Sequence, residues 1–164
     1  MSVRPERLTA ELEPGFVVFL IGMRVNRWWK IHRWLPVILA MGRMQRELQG
    51  RPELGLLGMD QWLGRTTMMV SYWRSYEHLH QFATRRDLPH APAWGAFMRA
   101  VGTNGDIGIW HETYTIAAGS FESVYVNMPP FGLGAAGTLV PATGALATSR
   151  GRLAASAARA GTAA

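Results

Sequence analysis

The run Phe16-Val17-Val18-Phe19-Leu20-Ile21 constrains the fold of this chain more than any other feature. Its six consecutive large apolar residues include three β-branched and two aromatic ones, and they follow the turn signal Pro14-Gly15. That pattern reads as a buried strand, continuing to about Asn26. A buried strand needs neighbours to take its backbone hydrogen bonds, so the chain is committed to a sheet. The period then changes. Ile31, Trp34, Leu35, Ile38, Met41 and Leu48 recur at helical spacing, which predicts a helix from about Lys30 to Gln49 with Gly50 as its stop. Pro36 is tolerated best if that helix starts near Arg33.

Two further strands are expected over 54–63 and 66–73, joined as an antiparallel hairpin at Gly64-Arg65. Ser75 is placed to cap a helix carrying Leu79, Phe82 and Ala83. After the break Pro89-His90-Ala91-Pro92, another helix is expected from Pro92 to Val101, then a strand from Ile107 to about Ile116. A short strand is expected at 121–126. From Phe131 onward Gly, Ala, Thr and Ser dominate, with too few large apolar groups to offset the entropy of ordering. The expected organisation is therefore an N-terminal arm (1–14), one domain (15–130) and a mostly disordered tail (131–164), with at most a transient helical turn near Leu153–Ala160. The order β, α, β, β, α, α, β, with a terminal strand, points to an α+β fold: a ferredoxin-like antiparallel sheet with helices on one face. Its other face would be bare. Pairing two such faces in a homodimer would make a barrel, leaving each subunit a pocket between sheet and helices.

Composition narrows the chemistry. There is no cysteine, which removes disulfides, thiolate metal sites and cysteine nucleophiles, and suits a cytoplasmic, reducing setting. The formal charge of +6 raises the question of nucleic acid. Three of the arginines (Arg150, Arg152 and Arg159) lie in the tail, and the other basic residues read as scattered, so no nucleic-acid partner is expected. Residues 1–13 lack the apolar core of a signal peptide, and no stretch is hydrophobic enough for a membrane span. No GxGxxG, GxxxxGK[ST] or GxSxG pattern occurs.

The titratable candidates are histidines. His111 lies mid-strand in Ile107-Gly108-Ile109-Trp110-His111-Glu112-Thr113-Tyr114, on the parity of Ile107 and Ile109. A neutral imidazole on an apolar face serves as a haem or metal ligand, as a general base, or as a structural hydrogen-bond donor. His90, at a helix entry four residues before Trp94, either points into a pocket mouth or caps the helix. His78 and His80 are two apart and share no helix face, and His32 sits among tryptophans. The aromatic set Trp62, Tyr72, Trp73, Trp94, Trp110, Tyr114 and Tyr125 suits either a core or the wall of a pocket for a hydrophobic small molecule.

Several segments resemble, in order, the signatures of one family. They are Phe19-Leu20-Ile21-Gly22-Met23-Arg24-Val25-Asn26, Arg33-Trp34-Leu35-Pro36-Val37, Gly55-Leu56-Leu57-Gly58, Tyr72-Trp73-Arg74-Ser75, Ile109-Trp110-His111-Glu112-Thr113-Tyr114 and Tyr125-Val126-Asn127-Met128-Pro129. The family is that of the fumagillin-pathway monooxygenase, similar to the antibiotic-biosynthesis monooxygenases of the dimeric α+β barrel superfamily. The resemblance spans about Phe16 to Leu133. It implies an oxidoreductase of the monooxygenase kind, with His90 and His111 catalytic and Asn26, Trp73, Trp94, Trp110 and Tyr114 binding substrate. The superfamily works without a cofactor or with haem, and includes simple binding modules. A looser likeness, from His111-Glu112 through Gly119, Phe121, Tyr125 and Pro129, is to haem aldoxime dehydratases. It implies a b-type haem with His111 as iron ligand, and puts Met128, which has no proton to give, where that family keeps an assisting histidine. The expectations therefore stay open between a cofactor-free oxygenase, a haem protein and a non-enzymatic binding or accessory dimer.

Overall fold

Large apolar residues run almost unbroken along 17–25, and the structure, a computed structural model describing residues 2–13, 15–85, 95 and 101–160, folds them into the middle of a sheet. The first strand of the chain is β1 (Leu8–Glu11), and β2 (Val17–Val25) is the long one. Helix α1 (Ile31–Gln49) follows, then the hairpin of β3 (Leu56–Trp62) and β4 (Met68–Trp73). Next come α2 (Tyr76–Thr84) and β5 (Ile107–Thr115). The sheet order is β3-β4-β2-β5, with every neighbouring pair antiparallel. This is the ferredoxin-like α+β arrangement that the element order implied.

Residues directly opposite in an antiparallel pair share a face, so the register sorts the side chains. One face carries Val17, Phe19, Ile21, Met23 and Val25 of β2 beside Trp73, Ser71 and Met69 of β4. Both long helices pack there. Leu48 of α1 and Leu79 of α2 meet Val17, Leu54 and Trp73, while Val37 of α1 meets Met23, Val25, Val101 and Ile107. Ser75 caps α2 as expected, accepting the backbone N–H of His78 at 3.3 Å. Helix α1 starts two residues before Arg33, so Pro36 falls in its second turn. The His32 carbonyl that loses a partner there belongs to an exposed residue, where water takes the donor's place. The helix expected over 92–101 lies mostly outside the described residues.

The opposite face corrects two expectations. The N-terminal arm is a strand, and the tail beyond 130 is not disordered among the described residues. It forms α3 (Leu133–Ala136), β6 (Thr138–Pro141) and α4 (Ser149–Ala160). β6 pairs antiparallel with β1, from Leu8 opposite Pro141 to Glu11 opposite Thr138. Ala10, Leu12, Phe16, Phe121, Tyr125, Leu133 and Leu139 then pack on Val18, Leu57 and Tyr72 of the sheet. The small residues read as a sign of disorder instead allow backbones to touch. A Cβ at Gly137 would lie 2.3 Å from the Glu11 carbonyl oxygen. Polar anchors supply what apolar bulk does not. Arg152, 6% exposed, bonds Glu122 at 2.6 Å and the Leu146 carbonyl at 3.1 Å. Arg7 reaches the Ala147 carbonyl at 2.8 Å, and Arg159 pairs with Glu11. The strand expected at 121–126 is reduced to isolated bridges, Tyr125 with Leu8 and Met128 with Arg4, because its partner is the arm and not the main sheet.

Candidate functional site

Register brings one row of side chains together across the helix-bearing face: Gln61 of β3, Met69 of β4, Ile21 of β2 and His111 of β5. Beside it runs a second row, with Thr67 next to Met23 and then Ile109. Over these rows α1 lays Val37, Ile38 and Met41, one helical stripe. Between sheet and helix runs a narrow cleft with a free interior of about 20 Å³, lined by Ile21, Gly22, Met23, Gln61, Thr67 and Ile109 of these rows, by Val37, Ile38 and Met41 of α1, and by Leu63. Its walls are almost wholly apolar and contain no ionisable group. The polar exceptions are Gln61 and Thr67, and Thr67 is already engaged, its hydroxyl accepting the Met23 N–H at 3.0 Å.

His111 stands at the edge of this cleft. It pairs with Ile21 and lies two residues beyond Ile109, both of which line the wall. Its ring is 5.8 Å from that of Phe19, and it is exposed rather than enclosed as expected, because β5 is an edge strand of the sheet. The parity reading is correct: His111 shares the helix-bearing face with Ile109, and Trp110, Glu112 and Tyr114 take the other.

The remaining expected site residues among the described ones do not converge on it. Trp73 is 2% exposed in the core, packed on Phe82 at 5.3 Å, with its indole N–H donated to Ser71 at 2.9 Å. It offers no surface to a ligand, which corrects its substrate-binding assignment: an inward position on a central strand under two helices is filled by packing. Asn26 ends β2, and its amide donates to the Gly105 carbonyl at 3.1 Å, tying two loops together. Trp110 lies over Gly22 on the opposite face, with its indole nitrogen buried. Tyr114, on that face too, donates to Glu112 at 2.5 Å. This hydrogen bond, and then the carboxylate charge, raises its phenol above the ordinary value. Met128 belongs to the layer beyond that face, where its carbonyl accepts the Arg4 N–H at 3.0 Å. His111 and Met128 are therefore on opposite sides of the sheet. His90 and Trp94 lie outside the described residues.

Ile21, Met23, Ile38 and Met41 line the cleft, yet sequence reasoning assigned them only to the core. The signal was present in the crossing of a period-two and a period-3.6 stripe, which says where two elements meet but not whether they leave space. A second, wider groove between Phe16, Leu57, Glu13, Arg74 and the Glu11–Arg159 pair is charged, and no described histidine lines it. Among the described residues no three His, Asp or Glu side chains gather as a metal site. The arrangement is an apolar seam between sheet and helix that presents one imidazole at its edge.

Comparisons with known proteins agree with this architecture. Residues 16–133 match the family described as Monooxygenase af470-like. Over 136 residues the chain is 34% identical to Monooxygenase af470 of Aspergillus fumigatus, covering 74% of this chain and 47% of that protein. A crystal structure of aldoxime dehydratase is similar in fold, with a TM-score of 0.59 at 17% identity over 79% of this chain and 42% of that one. The chain thus spans about half the length of the curated relative it matches.

Proposed function

The chain belongs to the Monooxygenase af470-like family, and from that premise we propose that it is an oxidoreductase of the monooxygenase type acting on a hydrophobic small molecule held between its sheet and α1. The observation that carries this reading is the apolar cleft with a single imidazole at its edge. With α1 displaced outward to widen the seam, Ile21, Met23, Val37, Ile38, Met41 and Ile109 take the substrate's carbon skeleton and exclude water. Dry walls of this kind disfavour a charged substrate and favour one whose charge appears only during reaction.

His111 then acts as general base. It removes a proton from an activated C–H or O–H of the substrate, and the resulting enolate or phenolate is electron-rich enough to reduce dioxygen directly. For a methylene between two unsaturated groups the balance is one substrate plus dioxygen giving a ketone plus water. One oxygen atom enters the product, and the two methylene hydrogens leave with the other. His90 is the second candidate base, with Trp94 beside it in sequence as a substrate contact.

A second reading, a b-type haem bound by His111, is supported by the state of that imidazole. Among the described residues its one noted contact is the ring of Phe19, so a nitrogen is left for iron, on a face made apolar by Ile21 and Ile109. Met128 does not fit as the opposite partner, because the sheet separates the two. Bound haem would be held by His111 and would supply oxygen or aldoxime chemistry.

One experiment distinguishes the readings. The purified chain, incubated with haemin and then with aromatic enol or phenol substrates, is followed by absorption and by oxygen uptake. Oxygen uptake without a Soret band, lost by two to four orders of magnitude in His111→Ala or His90→Ala, supports cofactor-free oxygenation. A Soret band that disappears in His111→Ala replaces it with the haem reading. Substrates that bind and emerge unchanged leave a binding dimer and refute both enzymatic readings.

We also propose that two copies pair through the opposite sheet face. The tail and arm cover one end of it, and Leu20, Met68, Val70 and Trp110, only half-buried in one chain, remain toward the other. A relative about twice this length is consistent with two such units acting together.

A further inference from the structure

Helix α1 packs one stripe on the sheet and turns a second, equally apolar stripe outward. Ile31, Leu35 and Leu39 follow one another at four-residue steps and are 41–57% exposed, and just before them Trp28 and Trp29 are 68% and 61% exposed. Exposed aliphatic and indole groups aligned over three helical turns form a ridge that a soluble surface does not require. Around it the charge is of one sign. No Asp or Glu occurs anywhere from Phe16 to Arg46, whereas Arg27 and Lys30 bracket the two tryptophans, and Arg43 and Arg46 continue the side of α1 that carries Leu35 and Leu39. A carboxylate brought in by the fold, Asp106, is buried and already shared by Arg27 at 2.8 Å and Lys30 at 2.9 Å. Two cations on one anion leave the loop positive.

We propose that this ridge seats the protein on an anionic membrane surface. Trp28 and Trp29 would enter the interface between headgroups and acyl chains, with Ile31, Leu35 and Leu39 behind them, while the flanking arginines meet lipid phosphates and carboxylates. Tryptophan suits that boundary because its ring is apolar and its N–H is not. The helix lies flat, since its inner stripe of Val37, Met41 and Leu48 is fixed on the sheet. No helix among the described residues is long and apolar enough to cross a membrane, so the association is peripheral.

Two other occupants fit less well. A second copy docking ridge to ridge would bring Arg43 and Arg46 of both chains together beside the tryptophans, cation against cation. Single-stranded nucleic acid would use parallel aromatic platforms in a groove. Here the two indoles stand edge to face, at 82°, on a convex helix bearing three aliphatic side chains.

The test is co-sedimentation of the full chain with vesicles of phosphatidylcholine alone and with phosphatidylserine added. Binding is expected to the anionic vesicles, to weaken with salt, and to fall about ten-fold or more in Trp28→Ser/Trp29→Ser. Arg43→Gln/Arg46→Gln should lose about five-fold for each cation removed. Leu35→Ser/Leu39→Ser repeats the test should the tryptophan variant fail to fold, as judged by circular dichroism. Absence of binding to anionic vesicles, binding equal in the ridge variants, or retention by a poly-dT oligonucleotide in place of vesicles overturns the proposal. So does a ridge variant whose only change is a lower oligomeric state.

Discussion

At Gly22 the sheet has no room for a methyl group: a Cβ would stand 2.0 Å from the Thr67 carbonyl oxygen and 2.7 Å from the Trp110 indole nitrogen. Gly22→Ala must push β2 away from β4 or expel Trp110. A loss of about 1–3 kcal/mol in a urea or thermal melt is the expected cost, with activity falling as Ile21 and Met23 shift in the cleft wall. Asp106 makes a pH prediction. The hydrogen bond from Lys30 holds its carboxyl below the ordinary value of 3.8, against the opposing effect of burial and with help from the Lys30 and Arg27 charges. Because the folded value is depressed, its contribution to stability is present above the ordinary value and lost as pH falls through the folded one. Acid titration of stability should therefore be shallower in Asp106→Asn than in the parent chain below about pH 4. Residues of this kind were hard to read in the sequence. The parity of His111 was visible in the alternation of its strand, but its exposure depends on which strand ends the sheet, a fact of topology. Trp73 looked like a ligand wall because aromatic residues serve cores and pockets alike. Arg27-Trp28-Trp29-Lys30 was legible as basic residues interleaved with aromatics, and reading the charges as scattered overlooked it.

Among elements, those with a strong period were the ones that sequence specified well. β2, α1, the β3–β4 hairpin, α2 and β5 all follow from alternation, helical stripes and turn residues. The layer made by β1, β6 and α4 was missed because its cohesion is not periodic and not greasy. Small residues bring backbones close, and ionic anchors then hold them. Arg152 is the anchor whose removal should show this. Arg152→Ala strips Glu122 of its partner and frees the Leu146 carbonyl, with a cost of about 2–3 kcal/mol, discounted because Glu122 is partly exposed. Limited proteolysis should then cut within 143–160 well before the sheet is lost. Cleavage at the parental rate would mean that α4 is held by contacts other than this pair.

For the whole molecule, the half-covered sheet face sets the geometry of any pairing. Two chains cannot stack their sheets over the full width, since the tail already occupies the end near Val18 and Tyr72. Contact confined to the end near Leu20, Val70 and Trp110 predicts that Val70→Lys converts the chain to a monomer in multi-angle light scattering. The far-ultraviolet circular dichroism should stay unchanged, and a dimer surviving the substitution would place the interface elsewhere.

The two extremities of the described chain are laced together, Arg7 to the Ala147 carbonyl across 140 positions and β1 to β6 along four residues. A ribosome delivers β1 long before β6. Until residues 138–141 leave the exit tunnel, β1 lacks the strand it pairs with, and the patch around Val18 and Tyr72 stays partly wet. The nascent segment must therefore carry an unpaired strand while the whole intervening sheet is made.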